Sequence, residues 1–178
     1  RQRQMCIRDS YYECAMEITQ QAKEMGIEDA TIYTGVGSIG TYMGLFCGLK
    51  NEGSPLGLVG VAISPFLEAK EKRIMEYFHE VKELYGLHFD AKREDMHIEK
   101  DYTRGAYNNP CKEVRDAICY MARREAIILD PCYTGKAFAG ICDMIREGKI
   151  AKAFIPTITE TKQEEGPAEV QATPTTEE

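Results

Sequence analysis

A glycine-rich turn between a strand-like stretch and a helix-like stretch constrains this sequence more than any other feature. Residues 30–33 are rich in β-branched and aromatic side chains, which is typical of a buried strand. Residues 42–49 instead carry apolar side chains at helical spacing. Gly35, Gly37 and Gly40 lie between the two, allow positive φ and leave backbone N–H groups uncovered. The stretch therefore predicts a strand, a loop and a helix whose positive end suits a phosphate group.

The glycine pattern alone leaves other interpretations open, including a tight connection in an α/β sheet that binds nothing. The Gly-x-x-x-x-Gly-Lys-Ser/Thr pattern of a nucleoside triphosphate loop is absent. Gly-x-Gly-x-x-Gly does occur, at residues 35–40. A dinucleotide site also requires an acidic residue about 20 residues later, at the end of a second strand. The next strand-like run, residues 58–64, ends in serine and proline, which weighs against a nucleotide.

The remaining periodicity predicts alternating helices and strands. Residues 56–64 form a near-continuous apolar run, which is typical of a parallel strand covered on both faces. The predicted elements are helices at residues 11–26, 65–85 and 111–125 and after residue 134, and strands at 30–33, 56–64, near 96–98 and at 126–129. We therefore predict a three-layer α/β fold with an open, mostly parallel sheet and helices on both faces.

The two ends of the chain differ in composition from the body. Residues 1–10 are basic, lack helical periodicity and resemble translated sequencing-adaptor sequence, so we expect a foreign segment there. Residues 156–178 are rich in Thr, Glu, Pro and Ala, which predicts an acidic disordered tail. The predicted domain is residues 11–155.

Composition excludes several classes of function. The net charge is −7, and residues 160–178 hold six Glu against one Lys, so the body is nearly neutral and shows no basic face for nucleic acid. No apolar run approaches the roughly 20 residues that a membrane span requires, and we expect a cytoplasmic protein. The seven cysteines include no Cys-x-x-Cys pair, and the three histidines share no ligand spacing. We therefore expect no metal site.

Three segments resemble one enzyme family. Residues 35–41 are similar to the Gly-Thr-Gly-Gly-Thr phosphate loop of the tryptophan-synthase-β-like (fold type II) pyridoxal-phosphate enzymes. Residues 124–140 resemble the Glu-Gly-Ile-Leu-Leu-Asp-Pro-Val-Tyr-Thr-Gly-Lys-Ala segment of one branch, and this match is the more specific. Residues 107–110 resemble the Tyr-Gly-x-Pro loop of the same branch. From about residue 11 to 150, the chain thus resembles the D-cysteine desulfhydrase and 1-aminocyclopropane-1-carboxylate deaminase family.

The resemblance implies roles for particular residues. The cofactor-binding residues it implies are the phosphate loop and one threonine, namely Gly37, Ser38, Ile39, Gly40, Thr41 and Thr134. Tyr107 and Tyr133 match the two tyrosines that face the substrate, and one of them is expected to assist proton transfer. A phenol has an ordinary pKa of about 10, so it needs help from its neighbours to act as a base.

Thr134 matches the position beside the pyridine nitrogen, where the deaminase branch carries Glu and the desulfhydrase branch carries Thr. A hydroxyl there stabilises a protonated ring less than a carboxylate does. The ring is then a weaker electron sink, which is still adequate for loss of a good leaving group such as a thiol. The resemblance therefore predicts a pyridoxal-phosphate lyase, a homodimer when complete, that releases sulfide, ammonia and pyruvate from D-cysteine or a similar small amino acid. The deaminase is the alternative enzyme. A degraded remnant or a small-molecule binding module is the non-enzyme alternative.

The sequence also departs from the family pattern. Ile39 stands where the family loop usually has Gly, and nothing after residue 150 matches the family's His-Thr-Gly-Gly segment. Lys136 is not the Schiff-base lysine, because in the family that lysine lies upstream of every segment matched here. We therefore expect this chain to be the later half of the large domain and to be inactive alone.

Overall fold

The computed structural model describes the backbone of residues 2–109 and 111–150, and the side chains from residue 10 onward within those ranges. The chain alternates helices with three strands. The elements are α1 Gln2–Glu24, β1 Thr31–Val36, α2 Gly40–Asn51, β2 Gly57–Ala62, α3 Glu68–Tyr85, a 3₁₀ turn at Arg93–Asp95, β3 His97–Glu99, α4 Lys112–Glu125 and α5 Thr134–Arg146. No helix in the described part of the chain is long and apolar enough to cross a membrane.

The three strands form one parallel sheet in the order β1-β2-β3. β1 pairs with β2 from Thr31 opposite Gly57 to Val36 opposite Ala62. β2 pairs with β3 around Gly60 opposite Ile98. Each crossover carries a helix, as parallel strands require. The predicted parallel α/β fold is confirmed.

Helices cover both faces of the sheet because side chains along each strand alternate in direction. On one face, Val36 packs with Ile39 of the glycine loop and with Phe78 of α3 in the largest apolar cluster. On the other face, Val61 packs with Ala137 and Met144 of α5. The carboxyl ends of β1 and β2 therefore lie between α2 and α5, which is where open α/β sheets bind their ligands.

α1 begins earlier in the chain than the sequence predicts. The backbone of residues 2–10 continues the helix that was expected from Tyr11. α1 packs closely on α2, since a Cβ added to Gly48 would lie 2.6 Å from the Cβ of Ala15. Whether residues 1–10 are foreign to the protein stays a prediction, and the predicted acidic tail lies outside the described residues.

Two local predictions are wrong. Residues 126–129 form no strand, and the side chain of Ile128 is 85% exposed. The backbone N–H and carbonyl groups of a strand form hydrogen bonds with those of a neighbouring strand. No described strand lies beside this segment. The helix expected from residue 65 also begins later, because α3 starts at Glu68; Leu67 precedes it in an extended conformation, and its side chain is exposed.

Candidate active site

The glycine loop joins β1 to α2 through residues 37–39. Ile39 adopts a left-handed conformation with φ of 72° and ψ of −23°. A β-branched residue is rarely found there, whereas glycine adopts it freely. The side chain of Ile39 is 3% exposed and packs into the largest apolar cluster. The structure thus explains why the family loop usually has Gly here, and shows that burial accompanies the strain.

The loop presents several uncovered hydrogen-bond donors. Among the described residues, no carbonyl accepts the backbone N–H groups of residues 38–42; the first bond from this turn is from the N–H of Met43 to the carbonyl of Ile39, at 2.9 Å. The Ser38 side chain is exposed and that of Thr41 half-buried. These donors lie at the positive end of a 12-residue helix. Such an arrangement can bind an anionic group.

Tyr133 brings the second predicted segment against this loop. A Cβ added to Gly37 would lie 3.1 Å from the Tyr133 ring, and one added to Gly35 would lie 3.6 Å from the Tyr133 carbonyl oxygen. The absence of a side chain at Gly37 therefore allows the Tyr133 ring to pack closely beside the loop.

The two predicted tyrosines are in direct contact. The hydroxyl oxygens of Tyr107 and Tyr133 are 2.8 Å apart, and their rings meet edge to face. The hydrogen bond to Tyr133, and a further one to the Cys132 thiol, raise the pKa of Tyr107 above its ordinary value. These neighbours therefore favour the neutral phenol of Tyr107 over the phenolate.

Thr134 begins α5 and is held by Asp130. The Thr134 hydroxyl donates to the Asp130 carboxylate at 2.6 Å and accepts from the Asp130 N–H at 2.9 Å. The same carboxylate accepts the backbone N–H groups of residues 132, 133 and 134 at 2.7–2.8 Å. Desolvation raises the pKa of Asp130, but the hydrogen bonds from Thr134 and these amides outweigh it and lower that pKa to about 2. Asp130 thus caps α5 as a carboxylate and fixes the Thr134 hydroxyl.

The structure brings together the residues that the sequence singled out from three distant segments. The phosphate loop, Tyr107 and Tyr133 meet through the contacts described above, and Thr134 follows Tyr133 directly. A cavity of about 310 Å³ lies elsewhere, between α4 and α5, and none of the predicted site residues lines it. The predicted residues therefore form a surface at the carboxyl edge of β1.

Sequence reasoning gave no site role to three residues that shape this surface. Asp130 directly follows residues 126–129, for which a strand is predicted, yet an aspartate shortly before a helix is also a capping signal. Cys132 directly precedes Tyr133, and its thiol is one of the groups that raise the pKa of Tyr107. Lys136 was set aside, and it is completely buried. No local signal in the sequence reveals the contacts of Cys132 or Lys136.

Proteins similar to this chain include some named as deaminases and some named as desulfhydrases. A Pyrococcus abyssi protein provisionally named 1-aminocyclopropane-1-carboxylate deaminase is 32% identical over 139 residues, 78% of this chain and 41% of the relative. The D-cysteine desulfhydrase of Salmonella paratyphi C is 32% identical over 137 residues, which are 77% of this chain and 40% of the relative. A crystal structure of an ACC deaminase homologue matches with a TM-score of 0.69 at 32% identity.

The match to that crystal structure covers 81% of this chain and 42% of the other chain. This chain therefore spans about two fifths of the length of the relatives it matches. The sequence model for pyridoxal-phosphate dependent enzymes matches residues 4–157. The uncovered donors of residues 38–42 fit the phosphate of that cofactor. From sequence, fold and the loop at the carboxyl edge of the sheet, this chain belongs to the pyridoxal-phosphate dependent enzymes.

Proposed function

We propose that the protein is a pyridoxal-phosphate lyase of the D-cysteine desulfhydrase type, which eliminates sulfide from a small amino acid. The observation that carries this proposal is the Thr134 hydroxyl at the start of α5. Its proton is donated to Asp130 at 2.6 Å, so its oxygen offers only a neutral lone pair to a ligand. A neutral acceptor supports a protonated pyridine nitrogen less than a carboxylate would.

The residues that would hold the cofactor are those of the loop and the α5 turn. The N–H groups of residues 38–42 would bind its phosphate, and Gly37 leaves room for the Tyr133 ring beside it. When bound, the cofactor draws electrons away from the carbon that carries the substrate amine. The overall reaction is D-cysteine plus water giving sulfide, ammonia and pyruvate.

Within this proposal, the tyrosine pair handles a proton at the departing sulfur. Tyr107 is held as a neutral phenol by Tyr133 and Cys132. A neutral phenol can donate a hydrogen bond to a sulfur that gains negative charge, and Tyr133 can return a proton through the 2.8 Å contact. The pair thus acts as the acid, and the base that starts the reaction must be another group.

Activity should be measured on the protein expressed with whatever sequence flanks this chain in its gene. We expect sulfide release from D-cysteine to exceed 2-oxobutanoate release from 1-aminocyclopropane-1-carboxylate. Thr134→Val should lower sulfide release by about tenfold, because it removes the hydroxyl but keeps the shape of the side chain. Thr19→Val is the matched control, since Thr19 lies on α1 and donates to the Ala15 carbonyl. Faster release of 2-oxobutanoate would refute the desulfhydrase proposal and favour the deaminase, whose name some relatives carry.

Cofactor binding separates the enzyme from the non-enzyme alternative. Pyridoxal phosphate added to the purified protein should produce a visible absorbance band, and borohydride should fix the cofactor covalently. Gly37→Asp should abolish the band, because a carboxylate there would repel the phosphate and displace Tyr133. Absence of a band in the wild-type protein would favour a remnant or a binding module. That this chain alone is inactive stays a prediction, and measuring sulfide release with residues 1–178 alone tests it.

A further inference from the structure

Lys136 is buried without a carboxylate partner. Its side chain is 0% exposed, and it is the one charged residue among the buried residues of the described chain. Its Nζ donates to the backbone carbonyl of Ile63 at 2.8 Å and to that of Ala106 at 2.6 Å. No described Asp or Glu forms an ion pair with it; the charged and thiol groups that act on it are Cys132, Cys111 and Arg104.

This position is unfavourable for an ammonium group. Burial costs free energy when no carboxylate compensates for the lost water. Lys136 also lies in the first turn of α5, where the helix presents its positive end. Desolvation accordingly lowers the pKa of Lys136 below its ordinary value. An apolar side chain of the same length would fill this space equally well. The two hydrogen bonds to backbone carbonyls therefore indicate a role beyond packing.

The two carbonyls belong to segments that meet at the candidate site. Ile63 follows β2, and its side chain lies beside Gly35 and Gly37. Ala106 directly precedes Tyr107 in the loop between β3 and α4. Lys136 therefore connects the end of the sheet to the backbone of the tyrosine loop.

That loop needs external support. Arg104 and Asn108 both have positive φ, at 57° and 54°, which is unfavourable for residues with a Cβ. α5 supports the loop at its start through the ion pair between Arg104 and Asp143. Lys136 supplies the backbone contact next to Tyr107, whose own side chain is largely exposed and contacts Tyr133 through its ring and its hydroxyl.

We propose that Lys136 is a positioning residue that fixes the backbone at Ala106 and so sets the Tyr107 hydroxyl against Tyr133. The proposal rests on the function proposed above in so far as the tyrosine pair serves a reaction, but the contact itself can be tested without activity. Lys136 acts through Tyr107 and touches no reacting atom.

The test is Lys136→Met in the protein expressed with its flanking sequence, with titration of the tyrosines by ultraviolet absorbance. Loss of the ammonium should release Tyr107 from Tyr133, so one additional phenol should titrate near its ordinary pKa of about 10. When Lys136→Met is made in a protein that already carries Tyr107→Phe, the number of phenols that titrate near a pKa of about 10 should not increase. Lys72→Met is the matched control, because Lys72 is exposed and pairs with Glu68 on the outer face of α3.

Activity gives a second readout. Lys136→Met should lower kcat to the level of Tyr107→Phe, a loss of about a hundredfold, while the affinity for pyridoxal phosphate stays unchanged. The double variant should be no slower than Tyr107→Phe alone. If the titration changes as expected but no variant or wild-type protein binds the cofactor, the positioning role holds and the proposed function fails.

A folded Lys136→Met protein with wild-type tyrosine titration would overturn the inference. If Lys136→Met does not fold, the wild-type protein supplies the test through the ¹H–¹⁵N signals of its lysine side chains. A buried ammonium bonded to two carbonyls should give one slowly exchanging Nζ signal, which disappears in Lys136→Gln and persists in Lys72→Met. Absence of such a signal in the wild-type protein would also overturn the inference.

Discussion

Replacing Ile39 by glycine and by alanine tests whether the glycine loop is strained. Ile39 has φ of 72° and is 3% exposed. Both substitutions remove nearly the whole buried side chain, so the loss of burial largely cancels when the two variants are compared. What differs is the backbone, because glycine adopts positive φ freely and alanine does not.

The expected magnitude follows from opposing effects. A left-handed conformation costs an L-residue about 1–2 kcal/mol, which glycine avoids. Glycine loses more conformational freedom on folding, and this offsets about 0.5–1 kcal/mol of that advantage. We therefore expect Ile39→Gly to be more stable than Ile39→Ala by about 1 kcal/mol, with both variants less stable than the wild type by about 2–4 kcal/mol.

The matched control is Ile74, which is fully buried in the interior of α3. There Ile74→Gly should be less stable than Ile74→Ala by about 1 kcal/mol, because glycine is a poor helix former. Urea unfolding followed by circular dichroism measures all four variants. If glycine is worse than alanine at position 39 by the same margin as at position 74, the strained loop is refuted.

Two further predictions concern the start of α5. Asp130→Asn should destabilise the protein by about 1 kcal/mol at pH 7. The Asp130 pKa is lowered from 3.8 to about 2, which corresponds to at most about 2.5 kcal/mol of stability. Exposure of the carboxylate to water screens part of this interaction, so we expect the smaller value. A lowered carboxyl pKa stabilises the fold only above the pKa of the unfolded state, so the difference from wild type should be constant from pH 7 to 5 and shrink below about pH 4. Gly135→Ala should cost about 1–3 kcal/mol, because its Cβ would lie 2.6 Å from the Asp130 carbonyl and 2.7 Å from Ile118. In an Ile118→Ala background, which removes both contacting carbons of Ile118, Gly135→Ala should cost less, and equal stability of Gly135→Ala and wild type would contradict the packing.

The sequence predicted those elements whose signals are local. β2 was predicted from a continuous apolar run, and α3 from helical spacing with a charged outer face, and both are present within a few residues of the expected bounds. The segment at residues 126–129 has the same β-branched composition but forms no strand. Composition indicates that a segment could pair, whereas pairing needs a neighbouring strand, and that information is not local.

The candidate site was predictable only in part for the same reason. The glycine loop and the run from Asp130 to Lys136 stand out in the sequence, and their resemblance to one family suggested that they meet. The contact of Tyr107 with Tyr133 depends on a loop conformation that no periodicity describes. The rise in the pKa of Tyr107 also came only from the structure, because it depends on the contact with Tyr133.

Several unfavourable features of the described residues lie at one edge of the sheet. Ile39 has positive φ in the glycine loop, Arg104 and Asn108 have positive φ in the tyrosine loop, and Lys136 is buried between the end of β2 and the tyrosine loop. Each costs free energy by itself, and folded proteins retain such features mainly where function depends on them. The described residues also show such features away from this edge: Ala126 has positive φ at the end of α4, and the hydroxyl of Tyr42, in the largest apolar cluster, is buried without a hydrogen-bond partner. Three of the four described non-glycine residues with positive φ, together with Lys136, nevertheless lie at the carboxyl edge of β1 and β2, which supports a functional site there on grounds independent of any sequence resemblance.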